Sequence, residues 1–386
     1  MADRYGNIVG WGKYVPPKVI TNADLEETLA TSDEKIFALT GIRERHVVSP
    51  GENTSQMATD AARDALDMAG VRARDLGLII VATSSPDHLT PPVSSQVQHA
   101  LGAKDVGAFT LVAGCPGFIY GLATAQHFIT SGSCDNVLVV GAELISRYTD
   151  WTDRGTCVLF GDGAGAVVMQ VSDEPAGMLA YTLGSDGSGA ELLILPGGGT
   201  AIPPTHESLD QGLHLLKMDG NQVFRSATRI LGKALRQTIQ QAGLTNDDID
   251  LFVPHQSNAR IIESIAQYVK FPEEKVFVNI ERYGNTSAAS IPIALCDAFD
   301  EGRAKVGDTL AFTAFGAGLT WATAVMKISE RVQPIPVRRM RVLEWLSVHP
   351  FGGMSRYRSS RFSKILTSIF APMRALRQRL SRGSRE

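Results

Sequence analysis

Ala69-Gly70-Val71-Arg72-Ala73-Arg74-Asp75-Leu76-Gly77-Leu78-Ile79-Ile80 is echoed further along the chain by Ala242-Gly243-Leu244-Thr245-Asn246-Asp247-Asp248-Ile249-Asp250-Leu251-Phe252-Val253. Each copy reads as a helix stopped by glycine, a short polar turn carrying Asp, and then a buried strand. Glycine just past a helix is the usual left-handed stop, because it lacks the Cβ that disfavours positive φ. The offset from Ala69 to Ala242 is close to half of the chain that precedes its last segment, so the body reads as a duplicated α/β unit. The predicted halves are residues 1–174 and 175–328, followed by a C-terminal extension, 329–386.

The repeat also organises the reactive side chains. The run Ala113-Gly114-Cys115-Pro116-Gly117-Phe118 lies between a predicted buried strand, Val106–Val112, and a predicted Ala- and Leu-rich helix, Phe118–Ile129, with Pro116 suited to its first turn. A thiol at a helix N-terminus faces unpaired N–H groups and the positive end of the helix dipole, which favour thiolate. The same offset carries Cys115 into the loop Tyr283-Gly284-Asn285-Thr286-Ser287-Ala288-Ala289-Ser290, which also opens an apolar helix. It carries Ala82, at the end of the first-copy strand, onto His255 in Pro254-His255-Gln256-Ser257-Asn258. Open α/β sheets bind ligands at the carboxyl ends of their strands, so the pattern gathers Cys115, His255 and Asn285 as a candidate site.

Bulk composition bounds the setting. Hydrophobic residues make up 44% and charged residues 20% of the chain. Both shares are ordinary for a globular protein. The N-terminus lacks the apolar core of a signal peptide, and no run of about 18 apolar residues could span a bilayer. Cys115, Cys134, Cys157 and Cys296 have neither disulfide-framework nor metal-pair spacing, so the expectation is a cytoplasmic protein with free thiols and no metal or cofactor. The net charge of −3 conceals a basic tail: residues 331–386 carry +11 against −14 for the rest.

Cys, His and Asn together admit two chemistries. In a papain-like hydrolase the His takes the thiol proton and Asn orients the His. In a decarboxylating condensation, His and Asn are neutral donors that hold a thioester carbonyl as it becomes an enolate, and no base is needed because loss of CO2 generates the carbanion. The surrounding motifs favour the second. AGCPGFIYGL around Cys115, PHQSN around His255 and YGNTSAASIP around Asn285 resemble the triad motifs of β-ketoacyl-acyl-carrier-protein synthase III. TSDE (31–34), GIRERH (41–46), TDRGT (152–156), FGDGAGA (160–166) and FGAGLTW (315–321) extend the resemblance from about residue 5 to 328.

The resemblance implies a thiolase-like α/β fold of stacked α/β/α/β/α layers, a homodimer, and acyl transfer from acyl-CoA to Cys115 followed by condensation with malonyl-acyl-carrier protein. Within it, His255 and Asn285 promote decarboxylation, the amides of Cys115 and Ala317 form the oxyanion hole, Arg154 and Asn258 contact CoA, and Arg225 and Arg260 dock the carrier protein. Asn285 argues against the Cys, His or Glu that related thiolase-fold enzymes carry there. An acyltransferase on this fold that passes its acyl group to an amine or hydroxyl, and an inactive scaffold, are the competing readings.

Several positions depart from the family pattern. Lys35 and Leu39 stand where a CoA-stacking Trp and an assisting Arg are usual. Thr90 stands where acetyl-primed members carry a bulky Phe, which points to a medium- or long-chain primer and places the Thr90 region near a partner subunit. Val112, Pro116 and Ala317 replace Asn, Ser or Ala, and Gly. The glycines of FGDGAGA read as packing positions rather than a phosphate loop. In the extension, Phe362, Ile365, Leu366, Ile369, Met373, Leu376 and Leu380 recur at helical spacing among basic residues, with a kink predicted at Pro372. Residues 361–380 therefore read as an amphipathic helix for an anionic lipid surface, against the plainer readings of a helix packed on the body or a disordered tail, with an acidic carrier protein as a further alternative partner. Nothing in the chain points to nucleic acid.

Overall fold

The computed structural model describes residues 4–172 and 175–329. The predicted extension, apart from residue 329, and its amphipathic segment 361–380 lie outside the described residues. The first half supplies β1 (Tyr5–Tyr14), α1 (Thr54–Ala69), β2 (Leu78–Ala82), α2 (Val93–Ala100), β3 (Gly107–Leu111), α3 (Gly117–Thr130), β4 (Asn136–Glu143) and β5 (Gly163–Ser172). The second supplies β6 (Gly177–Ser185), α4 (Gly220–Gln241), β7 (Leu251–Pro254), α5 (Ala259–Val269), α6 (Ser290–Asp300), β8 (Thr309–Gly316) and β9 (Thr320–Lys327).

The two sheets repeat one topology. The first runs β1-β5-β4-β2-β3 and the second β6-β9-β8-β7. Strands β2 and β4 pair in parallel, as do β7 and β8, and β5 and β1 in one copy and β9 and β6 in the other continue the sheet antiparallel; the first sheet adds β3 as a further parallel strand beside β2. The quoted repeat marks equivalent turns. Helix α1 is capped at its start by the Asn53 side chain and ends at Gly70 (φ 63°), and α4 is followed by Gly243 (φ 73°). A 3₁₀ turn then leads into β2 in one copy and β7 in the other.

Side-chain alternation builds the layers. Ile79 and Val81 of β2 face outward onto Met57, Ala61 and Ala65 of α1 and Val97 of α2. Ile80, between them, faces inward onto Phe118 and Leu122 of α3. Helices α3 and α6 fill the space between the sheets, sharing one core with Val139 on one side and Val253, Phe312 and Ala324 on the other. Leu231 and Leu235 of α4, with Ile261 and Ile265 of α5, cover the outer face of the second sheet. The result is the expected α/β/α/β/α stack. Each fully buried aliphatic or aromatic side chain contributes about 1.5–3 kcal/mol, so most of the stability resides in these three apolar layers.

Two details of the sequence reading meet the structure here. The reading predicts a buried strand before Cys115, yet β3 is the edge of its sheet: its residues are half-buried or exposed, and Val112 just beyond it is 72% exposed. An edge strand covered on one face accommodates the same small and apolar residues as a buried one. The glycines of FGDGAGA are packing positions: a Cβ on Gly165 would lie 2.7 Å from Pro292 Cβ, and one on Gly161 2.4 Å from Tyr283 O. They let α6 and the 283–285 loop approach β5. Among the described residues, no helix is long and apolar enough to cross a membrane.

Candidate active site

Cys115 is buried in the β3–α3 loop. Pro116 is the N-cap of α3 rather than a first-turn residue, so the thiol stands just ahead of the helix. Gly114 has φ 59°, a conformation that favours glycine. Its backbone and that of Cys115 press against the β8–β9 turn: a Cβ on Gly114 would lie 3.0 Å from Ala317 N, and one on Gly316 2.6 Å from Cys115 N. Thr320 Oγ1 ties the two segments by donating to Ala113 O at 2.8 Å and Ala317 O at 2.9 Å. The Cys115 and Ala317 backbones are thereby brought together.

The expectation of a thiolate is not met in the resting site. Burial pushes the Cys115 thiol up to about 12; a hydrogen bond from Ser287 opposes the rise and the nearby Glu143 carboxylate adds to it. Desolvation outweighs the favourable placement near the helix start, and Cys115 rests as a thiol.

His255 follows β7 directly and is buried. Its backbone N–H donates to Thr313 O at 2.8 Å, fixing the residue to β8. Its Nδ1 bonds the Ser290 hydroxyl at the start of α6, and that oxygen also accepts the Gln256 N–H at 3.3 Å. In the tautomer in which the Ser290 hydroxyl donates to Nδ1, the ring proton sits on Nε2. That Nε2 is buried and has no protein partner, so it is aimed at whatever occupies the site. Burial lowers the imidazole to about 3, so it is a neutral donor at physiological pH.

Asn285 is fixed by its neighbours. Its N–H donates to Leu159 O at 2.8 Å and its carbonyl accepts from Gly161 N at 3.0 Å, anchoring it to the loop that precedes β5. Its side-chain Oδ1 accepts from Ser287 N at 2.9 Å, which leaves the amide N–H group free to donate. Ser287 Oγ lies 3.5 Å from Cys115 Sγ, and the same turn reaches His255 through Ser290. The 285–290 turn therefore gathers the predicted triad around one corner between the sheets.

An apolar cavity of about 370 Å³ adjoins this corner. Its lining joins Gly114 and Ala317, beside Cys115, to Ile145, Tyr148, Leu193, Leu195 and Leu216. A volume near the low end of the usual range for ligand pockets, roughly 300–1,000 Å³, fits a hydrocarbon chain.

Family models for 3-oxoacyl-acyl-carrier-protein synthase III match residues 109–187 and, for its C-terminal part, residues 239–328. The β-ketoacyl-acyl-carrier-protein synthase III of Roseiflexus sp. (strain RS-1) is 49% identical over 323 residues, covering 84% of this chain and 98% of that one. The chain belongs to the β-ketoacyl-acyl-carrier-protein synthase III family. That of Caldanaerobacter subterraneus subsp. tengcongensis is 47% identical over 323 residues, covering 84% of this chain and 98% of its own. The crystal structure of 3-oxoacyl-acyl-carrier-protein synthase III from Aquifex aeolicus VF5 superposes with a TM-score of 0.77 at 44% identity, covering 83% of this chain and 99% of that one. As a synthase III family member the chain is a thiolase-fold condensing acyltransferase of fatty acid synthesis.

The other predicted residues are exposed or half-buried. Arg154 Nη1 donates to Ala30 O at 3.0 Å, and Asn258 Nδ2 donates to Leu39 O at 3.0 Å while its Oδ1 caps α5. These two side chains clamp both ends of the segment bearing Lys35 and Leu39, which are exposed. Arg225 and Arg260 are exposed near the starts of α4 and α5. Thr90 is exposed in the single chain and does not line the apolar cavity.

Sequence reasoning missed Ser287, Ser290 and Glu143. Glu143 ends the otherwise apolar strand β4 and is fully buried. A carboxylate at the carboxyl end of a buried strand is the same signal that exposed His255.

Proposed function

We propose that an acyl group from acyl-CoA is loaded onto Cys115 and condensed with malonyl-acyl-carrier protein to give β-ketoacyl-acyl-carrier protein. In the first half-reaction the sulfur attacks the thioester carbonyl and CoA departs. In the second, the malonyl carboxylate leaves as CO2, the resulting enolate attacks the Cys115 thioester, and the thiol is released. The oxyanion in each tetrahedral intermediate faces the amides of Cys115 and Ala317. His255 Nε2–H and the Asn285 amide hold the malonyl thioester carbonyl as it takes up enolate charge. This chemistry needs neither metal nor cofactor.

The observation that carries this reading is the neutral His255, unpartnered at Nε2 and bonded through Nδ1 to the turn that bears the oriented Asn285 amide. A hydrolase would need a basic imidazole, and burial removes that capacity. Replacing His255 or Asn285 by Ala is expected to abolish release of CO2 from malonyl-acyl-carrier protein while Cys115 still accepts an acyl group. Retained decarboxylation in both variants would refute the assignment, and acyl transfer to an amine without CO2 release would favour the non-condensing alternative.

The apolar cavity supports a medium-chain primer in preference to acetyl. The small Thr90 side chain is consistent with that, and acts from across a dimer interface. Leu89 is 85% exposed beside it, Val112 is 72% exposed, and β3 offers an open sheet edge in the single chain. An exposed edge flanked by apolar residues is stabilised by pairing with a second copy. Leu89→Asp with Val112→Asp should convert a dimer to a monomer in light scattering, and an unchanged mass would contradict this interface.

Arg225 and Arg260 supply the positive charge that attracts an acidic carrier protein, and Arg154 and Asn258 shape the CoA-facing rim. The basic amphipathic sequence 361–380 supports peripheral contact of a cytoplasmic enzyme with anionic membranes. Co-sedimentation with phosphatidylglycerol vesicles should fall in an Ile365→Ser/Ile369→Ser variant, and equal pelleting would remove the membrane contact.

A further inference from the structure

Glu143 is a fully buried carboxylate that the condensation scheme does not use. Its partners are neutral: Ser84 N at 3.1 and 3.2 Å, Ser85 Oγ at 2.6 Å, Thr83 Oγ1 at 3.4 Å and Ser287 Oγ at 3.1 Å. A buried carboxylate held without a cation is costly, and such groups gather where chemistry uses them. The Ser287 hydroxyl stands between this carboxylate and the nucleophile, 3.1 Å from Glu143 Oε1 and 3.5 Å from Cys115 Sγ. Ser287 is itself held at a φ of 51°. Side chains other than glycine rarely adopt that left-handed region. The Ser287 N–H is tied to Asn285 Oδ1, so the strained conformation aims its hydroxyl between the two groups.

We propose that the Ser287 hydroxyl relays the Cys115 proton to the Glu143 carboxylate during acyl loading, which makes Glu143 a positioning residue for the nucleophile. The inference rests on Cys115 being the acyl acceptor. The Ser287 hydroxyl is within donating reach of both Cys115 Sγ and Glu143 Oε1, and with its proton on the Glu143 side its oxygen is open to the S–H. As sulfur attacks the acyl carbonyl, its proton passes to Oγ and the Oγ proton passes to Oε1. The new carbon–sulfur bond forms, the bond to CoA breaks, and the proton returns through Ser287 to the departing thiolate. Thiol and thioester exchange with no other reactant, and the carboxylate is regenerated.

His255 is poorly suited to this role, because burial lowers its imidazole to about 3 and its Nδ1 is engaged by Ser290. The charge states agree with a relay: burial raises the thiol to about 12 and the Glu143 carboxyl to about 7. A carboxylate poised near neutrality can both accept and return a proton. The titratable groups that face Glu143 are Cys115, from the loop before α3, and Tyr148, from the segment after β4. Burial and the charge of Glu143 raise the Tyr148 hydroxyl, so it stays neutral, while Arg147 and Asp87 bear on Tyr148.

The test is rapid-quench acylation of the full-length enzyme by octanoyl-CoA between pH 5.5 and 9, read by intact mass spectrometry. The wild-type rate should climb with pH to a plateau with an inflection near 7. Glu143→Gln should lose the inflection and acylate about 10²-fold more slowly at pH 8, the lower range for general-base catalysis. Ser287→Gly suits the positive φ, removes the hydroxyl, and should reproduce both effects; the double variant should be no slower than either single one. An inflection retained in Glu143→Gln, or slowing without a change in pH profile, would overturn the relay while leaving the acyl-enzyme intact. Absence of any wild-type acyl-enzyme on Cys115 would instead overturn the proposed function, and the relay with it.

Discussion

Gly316→Ala tests the contact between the two halves at Cys115. A Cβ at Gly316 would lie 2.6 Å from Cys115 N, 3.0 Å from Cys115 Cβ and 3.0 Å from Pro116 Cδ. The first distance is about 0.8 Å short of ordinary contact, which begins at 3.4 Å. The neighbours are backbone and a proline ring, so no flexible side chain can yield. The Cys115 amide must therefore retreat from the Ala317 amide by a large part of an ångström. A donor placed about 2.7–3.1 Å from an oxyanion loses most of its hydrogen bond over such a shift, and one lost donor costs about 10²–10³ in kcat. Overpacking of this size destabilises by about 1–3 kcal/mol, which a core this large tolerates. The expected result is a folded protein whose kcat falls about 10²-fold in a coupled condensation assay with octanoyl-CoA and malonyl-acyl-carrier protein. KM should change little, because the donor acts in the transition state. Gly187→Ala is the control: a Cβ there meets nothing within 4 Å, and activity should be unchanged. A Gly316→Ala enzyme within about threefold of wild type would refute the proposed oxyanion geometry.

Acid stability follows from His255. Its folded pKa of about 3 lies below the ordinary 6.5. The unfolded chain therefore binds the proton first, and stability is lost as pH falls from 6.5 towards 3. His255→Asn should remove a slope of up to about 1.4 kcal/mol per pH unit. Wild-type minus variant differences in urea denaturation at pH 7, 6 and 5 read that slope. Glu143 has the opposite sign: its raised pKa means stability falls as pH rises from 4.5 to about 7. Glu143→Gln should accordingly gain thermal stability over wild type at pH 8 relative to pH 5. Leu193→Trp, at the buried wall of the apolar cavity, should shorten the preferred primer, since each methylene excluded costs about 0.8 kcal/mol. Steady-state kcat/KM across acyl-CoA lengths checks that shift. Lys35→Trp should lower the KM for acyl-CoA by restoring a stacking surface at the exposed rim, and an unchanged KM would count against that placement.

The fold was legible because duplication wrote it twice. The glycine stops at Gly70 and Gly243, the 3₁₀ turns and the strands that follow them recur in structure as they do in sequence. The corner that gathers Cys115, His255 and Asn285 was legible because the offset aligned them with equivalent element ends. What escaped was set by environment rather than residue type. Helix-end placement argued for a thiolate at Cys115, but desolvation dominates, and its extent depends on how the 285–290 turn and the β8–β9 turn close on the thiol. The edge position of β3 is a matter of sheet order, which a run of apolar residues does not encode. Ser287 and Ser290 look like ordinary small residues of an Ala- and Ser-rich loop until the turn aims one hydroxyl at Cys115 and the other at His255. Arg154 and Asn258, read from the resemblance as CoA contacts, brace residues 30–39 in the structure, with the exposed Lys35 and Leu39 between.

The central claim is that a Cys115 thioester is consumed by a decarboxylating condensation. Intact mass spectrometry of enzyme exposed first to octanoyl-CoA and then to malonyl-acyl-carrier protein tests it most directly. The account predicts an octanoyl increment on the Cys115 peptide that disappears on the second addition, with one CO2 and one β-ketodecanoyl-carrier product for each increment lost. An increment that is absent, that sits on another residue, or that disappears without CO2 and a new carbon–carbon bond would contradict it.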